Sequence, residues 1–365
     1  MKCLVLSRYG FSGASSRMRF YQYLPWLENT GIHVVMSPLF SDEYVAGIQA
    51  GRKNLALVGR AYVHRIRELI TSKQFDLLWI EKELLPWVPL GLENLLLPVS
   101  IPYILDYDDA VFHCYDQHHN PIVKSLLGNK HPSLIRGAAL IIAGNDYLAD
   151  FARQSGAKHV EIVPTVIDLE RYPAHSQKSV TETPMTTPCV GWIGQRSTAS
   201  FLTPYRQLFK SISSSRKARF IAVGIDAQSL GLPMESVQWT EKTEVASIAR
   251  FDIGIMPLED EAFARGKCGY KLIQYMACGL PVIASPVGVN CQIVEHGVNG
   301  FLAETLEQWQ EALQTLLADA ELRKRMGLAG REKVERQYCL QVAAPIMSQL
   351  LLDASETQVF KPVHL

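Results

Sequence analysis

Short apolar runs alternate with helix-length segments of mixed polarity along the whole chain. This alternation predicts βα units built around parallel sheets, and therefore an α/β protein. The runs predict strands in the first half of the chain at Leu4–Leu6, Ile32–Met36, Asp76–Ile80, Pro102–Leu105, Ala139–Ala143 and Val160–Pro164. In the second half they predict strands at Cys189–Ile193, Arg219–Val223, Val237–Trp239, Asp252–Pro257 and Val282–Ala284.

Helix signals follow these runs. A helix is expected from Arg17 to Thr30, with Gly31 as its stop. Asn145 and Asp146 follow the fifth run and offer good capping chemistry for another helix. The chain ends in segments with helical periodicity at Trp309–Leu317, Ala320–Gln337 and Leu340–Leu352.

The segment Gly266–Ser285 predicts a compact loop, a short helix, a sharp break and a buried strand. Such a loop presents backbone N–H groups and the positive end of a helix dipole, which suits a phosphate group. Arg265, Lys267 and Lys271 add positive charge within the same few residues. A solvated basic loop in front of a core helix is the alternative interpretation.

A length of 365 residues favours two domains. The formal net charge of +0 argues against nucleic acid as the main partner. The 7 cysteines contain no C-x-x-C pair, which suits a reducing compartment and shows no zinc spacing. The N-terminus does not resemble a signal peptide, and prolines interrupt the apolar stretch 84–105, so an intracellular protein without a membrane span is expected.

The segment from Arg52 to Arg67 carries five cations, Arg52, Lys53, Arg60, Arg65 and Arg67, and no acid among its apolar residues. A basic amphipathic helix of this kind can lie on an anionic membrane. An ordinary helix packed on the sheet is the alternative, and it is favoured because the apolar residues are also needed for packing.

Three carboxylates, Asp106, Asp108 and Asp109, follow the fourth predicted strand. Carboxylates this close repel one another, so a compensating partner is expected, and a metal ion is one candidate. The loop 10–16 follows the first strand and contains Gly13. Ligands of doubly wound sheets bind at such carboxyl ends.

The segment Gly266–Ser285, continued by Pro286–Asn290 and Glu295–Leu302, resembles the C-terminal signature of the retaining glycosyltransferase family 4. The resemblance implies the GT-B fold, with two Rossmann-like doubly wound domains facing across a cleft. It implies an N-terminal acceptor-side domain at 1–173, a linker at 174–188 and a nucleotide-sugar-binding domain at 189–339. A crossover helix within 340–365 is expected to pack back on the first domain.

The function implied is transfer of a sugar from a nucleotide-diphosphate sugar to a glycan or lipid-linked acceptor in bacterial surface-polysaccharide synthesis. No metal or other cofactor is expected, and the protein is expected to be cytoplasmic, with peripheral contact at the inner face of the plasma membrane. Asp108, Asp109, Arg196 and Lys271 are the expected catalytic residues. Donor binding is expected from Gly13, Gly194, Arg196, Lys267, Gly269, Tyr270, Lys271 and Gln274. Arg17 and Arg19 are candidates for an anionic acceptor or, alternatively, plain surface charges.

The chain departs from the family pattern at several positions. Gly266 and Gln274 stand where most members have two glutamates, and Gln274 is expected to accept a hydrogen bond from ribose through its amide oxygen. Asp106 or Asp108 stands where many members have a histidine. The alternatives are a GT-B-shaped nucleotide-sugar epimerase and a degenerate homologue that binds a nucleotide without chemistry.

Overall fold

The computed structural model describes residues 1–49, 51–52, 54–98, 100–172 and 187–357. The chain forms two compact units. Unit 1 comprises Met1–Thr165, Gly266–Cys268 and the C-terminal segment from Leu340, and unit 2 comprises Val166–Arg265 and Gly269–Cys339.

Unit 1 contains a six-stranded parallel sheet in the order β2-β1-β3-β4-β5-β6. Its central strands are continuous apolar runs because both of their faces are covered, and every residue of β3 is buried. The strands are β1 Lys2–Tyr9, β2 His33–Phe40, β3 Leu77–Glu81, β4 Tyr103–Tyr107, β5 Leu140–Ala143 and β6 Val160–Ile162.

The first predicted helix is divided in the structure, because Pro25 at the start of α2 lacks the N–H that a continuous helix would need. Gly31 ends the region with a φ of 78°, as its role as a stop requires. The helices of this part of the chain are α1 Ala14–Arg19, α2 Leu24–Asn29, α3 Asp42–Gln49, α4 Leu55–Thr71, α5 Leu90–Leu96, α6 His113–Asp116, α7 Pro121–Leu127, α8 Lys130–Gly137 and α9 Asp146–Gln154.

Unit 2 repeats the architecture with a second six-stranded parallel sheet, in the order β12-β11-β10-β7-β8-β9. Every residue of β7 and β10 is buried, as expected for central strands of a covered sheet. The strands are β7 Cys189–Ile193, β8 Arg219–Val223, β9 Glu235–Val237, β10 Ile253–Met256, β11 Val282–Ala284 and β12 Gly300–Leu302.

The predicted central helix of unit 2 forms as α14, and it is buried on all sides from Leu272 to Ala277 rather than on one face. The helices are α10 Arg196–Ala199, α11 Arg206–Ser214, α12 Glu244–Ile248, α13 Ala262–Arg265, α14 Tyr270–Ala277, α15 Asn290–Ile293, α16 Leu306–Ala318 and α17 Ala320–Gln337. Short 3₁₀ turns in the two units lie at Tyr21–Tyr23, Ser72–Gln74, Leu169–Arg171, Ser200–Tyr205, Gln228–Leu230 and Glu241–Thr243.

The last helix, α18, spans Leu340–Ser355 and contacts α2, β3 and β4 of unit 1. The expected bounds differ from the observed units in two respects. Unit 1 ends at Thr165 instead of 173, and it also includes Gly266–Cys268, which the sequence assigned to the second domain. Most of the predicted linker 174–188, and residues 358–365 of the predicted crossover segment, lie outside the described residues.

Candidate active site

The carboxyl ends of β3 and β4 bring two carboxylates of unit 1 side by side. Glu81 and Asp106 are register partners in neighbouring parallel strands, and both are buried. The guanidinium of Arg19 donates to Asp106 through Nε at 2.8 Å and through Nη2 at 3.1 Å. Burial raises the pKa of Asp106 to about 6, and Arg19 opposes that shift.

Arg17 and Arg19 are not the surface charges that the sequence allowed. The side chain of Arg19 is 0% exposed and also donates to the Val163 carbonyl at 2.8 Å. Arg17 is buried as well, and its Nη1 donates to the Phe11 carbonyl at 3.2 Å. Arg19 therefore holds Asp106 in place at the sheet edge, and the acceptor role predicted for Arg19 stays a prediction.

Asp108 is compensated by a residue that the sequence analysis did not single out. The ammonium of Lys82 lies 2.7 Å from the Asp108 carboxylate and 3.6 Å from Glu81. The single O–H of Ser15 lies within hydrogen-bond distance of both carboxylates and donates to them. Burial would raise the pKa of Asp108, but Lys82 and Ser15 outweigh it and the pKa is lowered.

Asp109 differs from Asp108 in its surroundings. Its side chain is 32% exposed, and its nearest cation is Lys267 at 3.4 Å. Burial raises its pKa, Lys267 opposes that shift, and the neighbouring Asp108 adds to it. Adjacent carboxylates whose pKa values are shifted in opposite directions suit different proton-transfer roles, so Asp109 is the better candidate for a group that meets substrate.

The compensation expected for the acidic loop is therefore present in side chains: Arg19 for Asp106, Lys82 for Asp108 and Lys267 for Asp109. No group of three or more His, Cys, Asp or Glu side chains among the residues that the structure describes is arranged to hold a metal ion. The expectation about cofactors stays a prediction. A signal for Lys82 was present in the charged triplet Glu81-Lys82-Glu83 directly after a buried strand.

Lys267 lies in the segment Gly266–Cys268 of unit 1, which packs beside the acidic loop that contains Asp109. The Asn145 side chain donates to the carbonyls of Gly266 at 3.0 Å and Lys267 at 3.1 Å. A Cβ added at Gly266 would lie 2.5 Å from the Cβ of Ala110. The structure thus pairs Lys267 with an acidic residue of unit 1 rather than with the residues predicted to hold a diphosphate.

Gly13 lies in the loop after β1, where a Cβ would come within 2.4 Å of the Tyr9 Cβ. Its carbonyl accepts the first backbone hydrogen bond of α1, from the N–H of Arg17 at 2.8 Å. The tight turn therefore requires glycine for packing, and its predicted contact with the donor stays a prediction.

In unit 2, the carboxyl end of β7 brings Gly194 and Lys271 together. A Cβ at Gly194 would lie 2.8 Å from Cε of Lys271 and 2.6 Å from the Trp192 ring. The Lys271 ammonium lies 5.7 Å from the centroid of that ring. Arg196 begins α10 two residues after Gly194 and is exposed. A glycine backbone and a lysine thus lie together at a strand end of the type that binds ligands, and Arg196 follows two residues further along the chain.

Gly269 precedes α14 with a left-handed φ of 64°, where a Cβ would lie 2.3 Å from the Ile293 side chain. Glycine is the residue that adopts this geometry without strain. Tyr270 and Lys271 form the first turn of α14 and are half-buried. Backbone N–H groups at such a helix start favour an anion.

Gln274 lies in the buried part of α14. Its side chain is 2% exposed, and its Nε2 donates to the Tyr172 hydroxyl at 2.9 Å. That hydroxyl donates to Glu244 at 2.8 Å. Gln274 therefore anchors Tyr172, a contact that no local spacing indicates, and its predicted hydrogen bond to ribose stays a prediction.

Known proteins resemble this chain in its second half by sequence and over its whole length by fold. Residues 188–319 match the family model described as "Glycosyl transferases group 1". An N-acetyl-α-D-glucosaminyl L-malate synthase of Bacillus anthracis is 36% identical over 94 residues, which are 25% of this chain and 23% of that protein. The chain aligns with only 18% to 29% of the length of the curated relatives it matches.

Solved structures cover the whole fold at low identity. Sucrose-phosphate synthase from Thermosynechococcus elongatus matches with a TM-score of 0.72 and 16% identity, over 97% of this chain and 98% of that one. Anabaena HepE in complex with UDP-glucose matches with a TM-score of 0.66 and 16% identity, over 97% and 100%. With two six-stranded parallel sheets, the chain has the two-domain Rossmann-like GT-B fold, as predicted.

The family match and the names of the relatives agree with the predicted enzyme class, a glycosyltransferase (EC 2.4). They do not favour the epimerase alternative. In the described part of the chain, no helix combines the length and the apolar character needed to cross a membrane.

Proposed function

We propose that the protein is a retaining glycosyltransferase of family 4, which moves a sugar from a nucleotide-diphosphate sugar to a glycan or lipid-linked acceptor in bacterial surface-polysaccharide synthesis. The observation that carries the proposal is that the Lys271 stem occupies the space beside Gly194, two residues before the exposed Arg196. Its position inside the matched glycosyltransferase domain adds support. Because HepE was solved with UDP-glucose, UDP-sugars are the first donors to test.

In this proposal unit 2 stabilises the leaving diphosphate. Negative charge grows on the phosphate oxygens as the glycosidic bond breaks. Lys271, Arg196 and the N–H groups at the start of α14 are cationic or polar donors that could neutralise it. Lys271 and these N–H groups are fixed before the reaction by the packing of α14, so little reorganisation accompanies the charge transfer.

Unit 1 supplies the polar groups for the transferred sugar and the acceptor. Asp109 is the carboxylate with the greater exposure and the raised pKa, whereas Lys82 keeps Asp108 ionised. We assign contact with substrate hydroxyls to Asp109. Asp108 is assigned the role of holding Lys82 and Ser15 around it.

The donor site is tested by thermal unfolding with UDP, GDP, ADP and CMP, each without added metal. A ligand that binds only the folded state raises the melting temperature by mass action. A shift with one diphosphate supports the donor site and names its base. No shift with any of the four nucleotides contradicts it and moves the assignment to the degenerate homologue.

The role of Lys271 is tested by Lys271→Ala, with Lys210→Ala as the matched control because Lys210 is an exposed lysine of the same unit. Loss of a charge that stabilises the transition state should lower kcat by about 100-fold, while the melting temperature changes little. Turnover equal to that of Lys210→Ala would exclude the phosphate role.

Peripheral membrane contact belongs to the same proposal and rests on α4. Arg60, Val63, Arg67 and Ile70 are exposed and recur at helical spacing, so they share one face. Arg65 does not contribute, because it is buried and donates to the carbonyls of Ser7 and Ser37. Lys53 lies outside the described residues.

The membrane contact is tested by sedimentation with phosphatidylglycerol and phosphatidylcholine vesicles. We expect binding to the anionic vesicles that decreases with salt and with the pair Arg60→Glu and Arg67→Glu. Equal sedimentation of the pair and the unaltered protein would contradict the contact, and the packed-helix interpretation would stand.

A further inference from the structure

Trp87 has a large apolar side chain that is exposed at the surface of unit 1, and its backbone conformation is one that tryptophan rarely adopts. Its side chain is 52% exposed, and its φ is 63°. Pro86 and Trp87 are the central residues of a turn closed by a hydrogen bond from the Val88 N–H to the Leu85 carbonyl at 3.2 Å. A positive φ at the third position of a turn favours glycine or asparagine, so tryptophan is a costly choice.

The turn is held in place on both sides of Trp87. The Trp87 N–H donates to the Tyr115 hydroxyl at 2.9 Å, and this hydroxyl donates to the Glu83 carboxylate. The carbonyl of Pro86 accepts from the Tyr62 hydroxyl at 2.6 Å. These hydroxyls come from two different helices, so the strained conformation is fixed by the surrounding structure.

A buried ion network supports the same turn from beneath. Lys130 pairs with Glu83 at 2.8 Å and with Glu93 at 3.0 Å, and it also donates to the Leu85 carbonyl at 2.7 Å. The Leu85 N–H donates to Glu93 at 2.6 Å. The result is a rigid loop whose most prominent exposed group is an indole ring.

Polar aromatic groups lie beside the indole. The Tyr115 ring meets it edge to face at a centroid distance of 5.1 Å, and the His118 ring does so at 5.9 Å. His118 stacks in turn on His119, which is exposed. The site therefore offers one apolar face with hydrogen-bonding groups at its border.

We infer that Trp87 is a stacking residue for a pyranose ring of the acceptor glycan, an inference that rests on the proposed function. A pyranose has an apolar C–H face and hydroxyls at its edge, which matches an indole bordered by imidazoles. Trp87 lies in the loop after β3, on the side of the sheet where its strands end. A single indole among polar neighbours fits a sugar ring better than a bilayer, which needs a broader apolar surface.

The first test is a titration of the ¹⁵N-labelled protein with maltotriose, cellotriose and chitotriose, observed through the indole N–H resonances. The chain has 6 tryptophans, and the resonance missing from Trp87→Phe identifies Trp87. We expect the Trp87 signal to shift with at least one of the three sugars. No shift up to their solubility limits would overturn the inference, as would a shift caused only by phosphatidylglycerol vesicles.

The second test uses Trp87→Gly, with Leu95→Ala as the control for removal of an exposed apolar side chain. Glycine removes the indole and also the left-handed strain, so the melting temperature should not fall. The affinity for the oligosaccharide should fall by about tenfold, and in the transfer reaction the KM for the oligosaccharide should rise by about tenfold. The affinity for UDP should be unchanged. A fall in melting temperature with unchanged sugar affinity would make Trp87 a structural residue only.

The two proposals fail in different ways. Sugar binding at Trp87 without UDP binding would leave a carbohydrate site in a protein that is not the proposed transferase. If Trp87→Gly binds UDP and transfers sugar as the unaltered protein does, the proposed transferase function stands and the acceptor site at Trp87 is excluded.

Discussion

At the carboxyl ends of β3 and β4, unit 1 gathers carboxylates and pairs them with cations of its own, such as Lys82 with Asp108. At the carboxyl end of β7, unit 2 instead has Gly194, the stem of Lys271 and the exposed Arg196. The same sheet architecture therefore supports a neutralised polar network in one unit and a cationic, glycine-rich edge in the other. Substitutions in the first should act mainly on stability, and those in the second mainly on anion binding.

The largest effect is expected from Lys82→Met, which would leave half-buried Asp108 and buried Glu81 without their cation. The free energy of unfolding should fall by about 3–5 kcal/mol, measured by urea denaturation. The double variant Lys82→Met with Asp108→Asn should recover part of the loss, because one unpaired charge is then absent. A loss below about 0.5 kcal/mol in Lys82→Met would contradict the network.

The next effect concerns pH. Burial lowers the pKa of His131 to about 4, whereas an unfolded histidine titrates near 6.5. Between these values the unfolded chain binds a proton that the native state does not, so His131 makes stability fall as pH falls across that window. The contribution is at most about 3 kcal/mol.

Burial also raises the pKa of Glu93 to about 7, which gives an opposite slope in part of the same range. The quantity to measure is therefore the difference between the unaltered protein and His131→Gln from pH 4 to 7. We expect His131→Gln to lose less stability toward pH 4, while His159→Gln, at an exposed histidine, tracks the unaltered protein. Parallel curves for all three proteins would show that His131 does not contribute.

In unit 2, Gly194→Ala should act on the ligand more than on the fold. Its Cβ would press on the Lys271 stem and the Trp192 ring, so Lys271 must move. We expect kcat/KM to fall by about 100-fold, equivalent to about 2.7 kcal/mol. Gly59→Ala is the control, because a Cβ there meets nothing within 4 Å. Equal activity of the two variants would show that Lys271 has no fixed role.

The smallest effect is expected from Arg196→Ala. The side chain is exposed, so the melting temperature should be unchanged, while kcat/KM for the nucleotide sugar falls by about tenfold. Arg219→Ala, at the amino end of β8, is the matched control in the same sheet. If both variants retain full activity, the cationic edge of unit 2 is not used by the donor.

The strands were the most predictable part of the molecule. β7, β8 and β11 have the predicted bounds because each is a continuous apolar run with a turn on either side. The first helix was not predicted correctly, because its periodicity continues through Phe20–Tyr23, whereas α1 ends at Arg19 and α2 begins only at Leu24, next to Pro25. The apolar runs thus predicted the strands, whereas apolar periodicity did not show where the first helix is interrupted.

The candidate site was less predictable because its pairs are distant in sequence. Asp109 meets Lys267 across 158 positions, and Arg19 meets Asp106 across 87. No local spacing indicates which of 36 basic residues will compensate which carboxylate. Gln274 illustrates the same limit, since Tyr172 lies 102 positions away.

The packing at Gly266 also bears on how this sequence can change over generations. A glutamate at that position, as most family 4 members have, would need room that the Ala110 backbone occupies, with its nitrogen 2.8 Å from the added Cβ. The substitution Gly266→Glu alone is therefore expected to disturb the loop at Ala110. The loop at Ala110 would have to shift before a larger residue could be accommodated, so Gly266 and Ala110 can change only together.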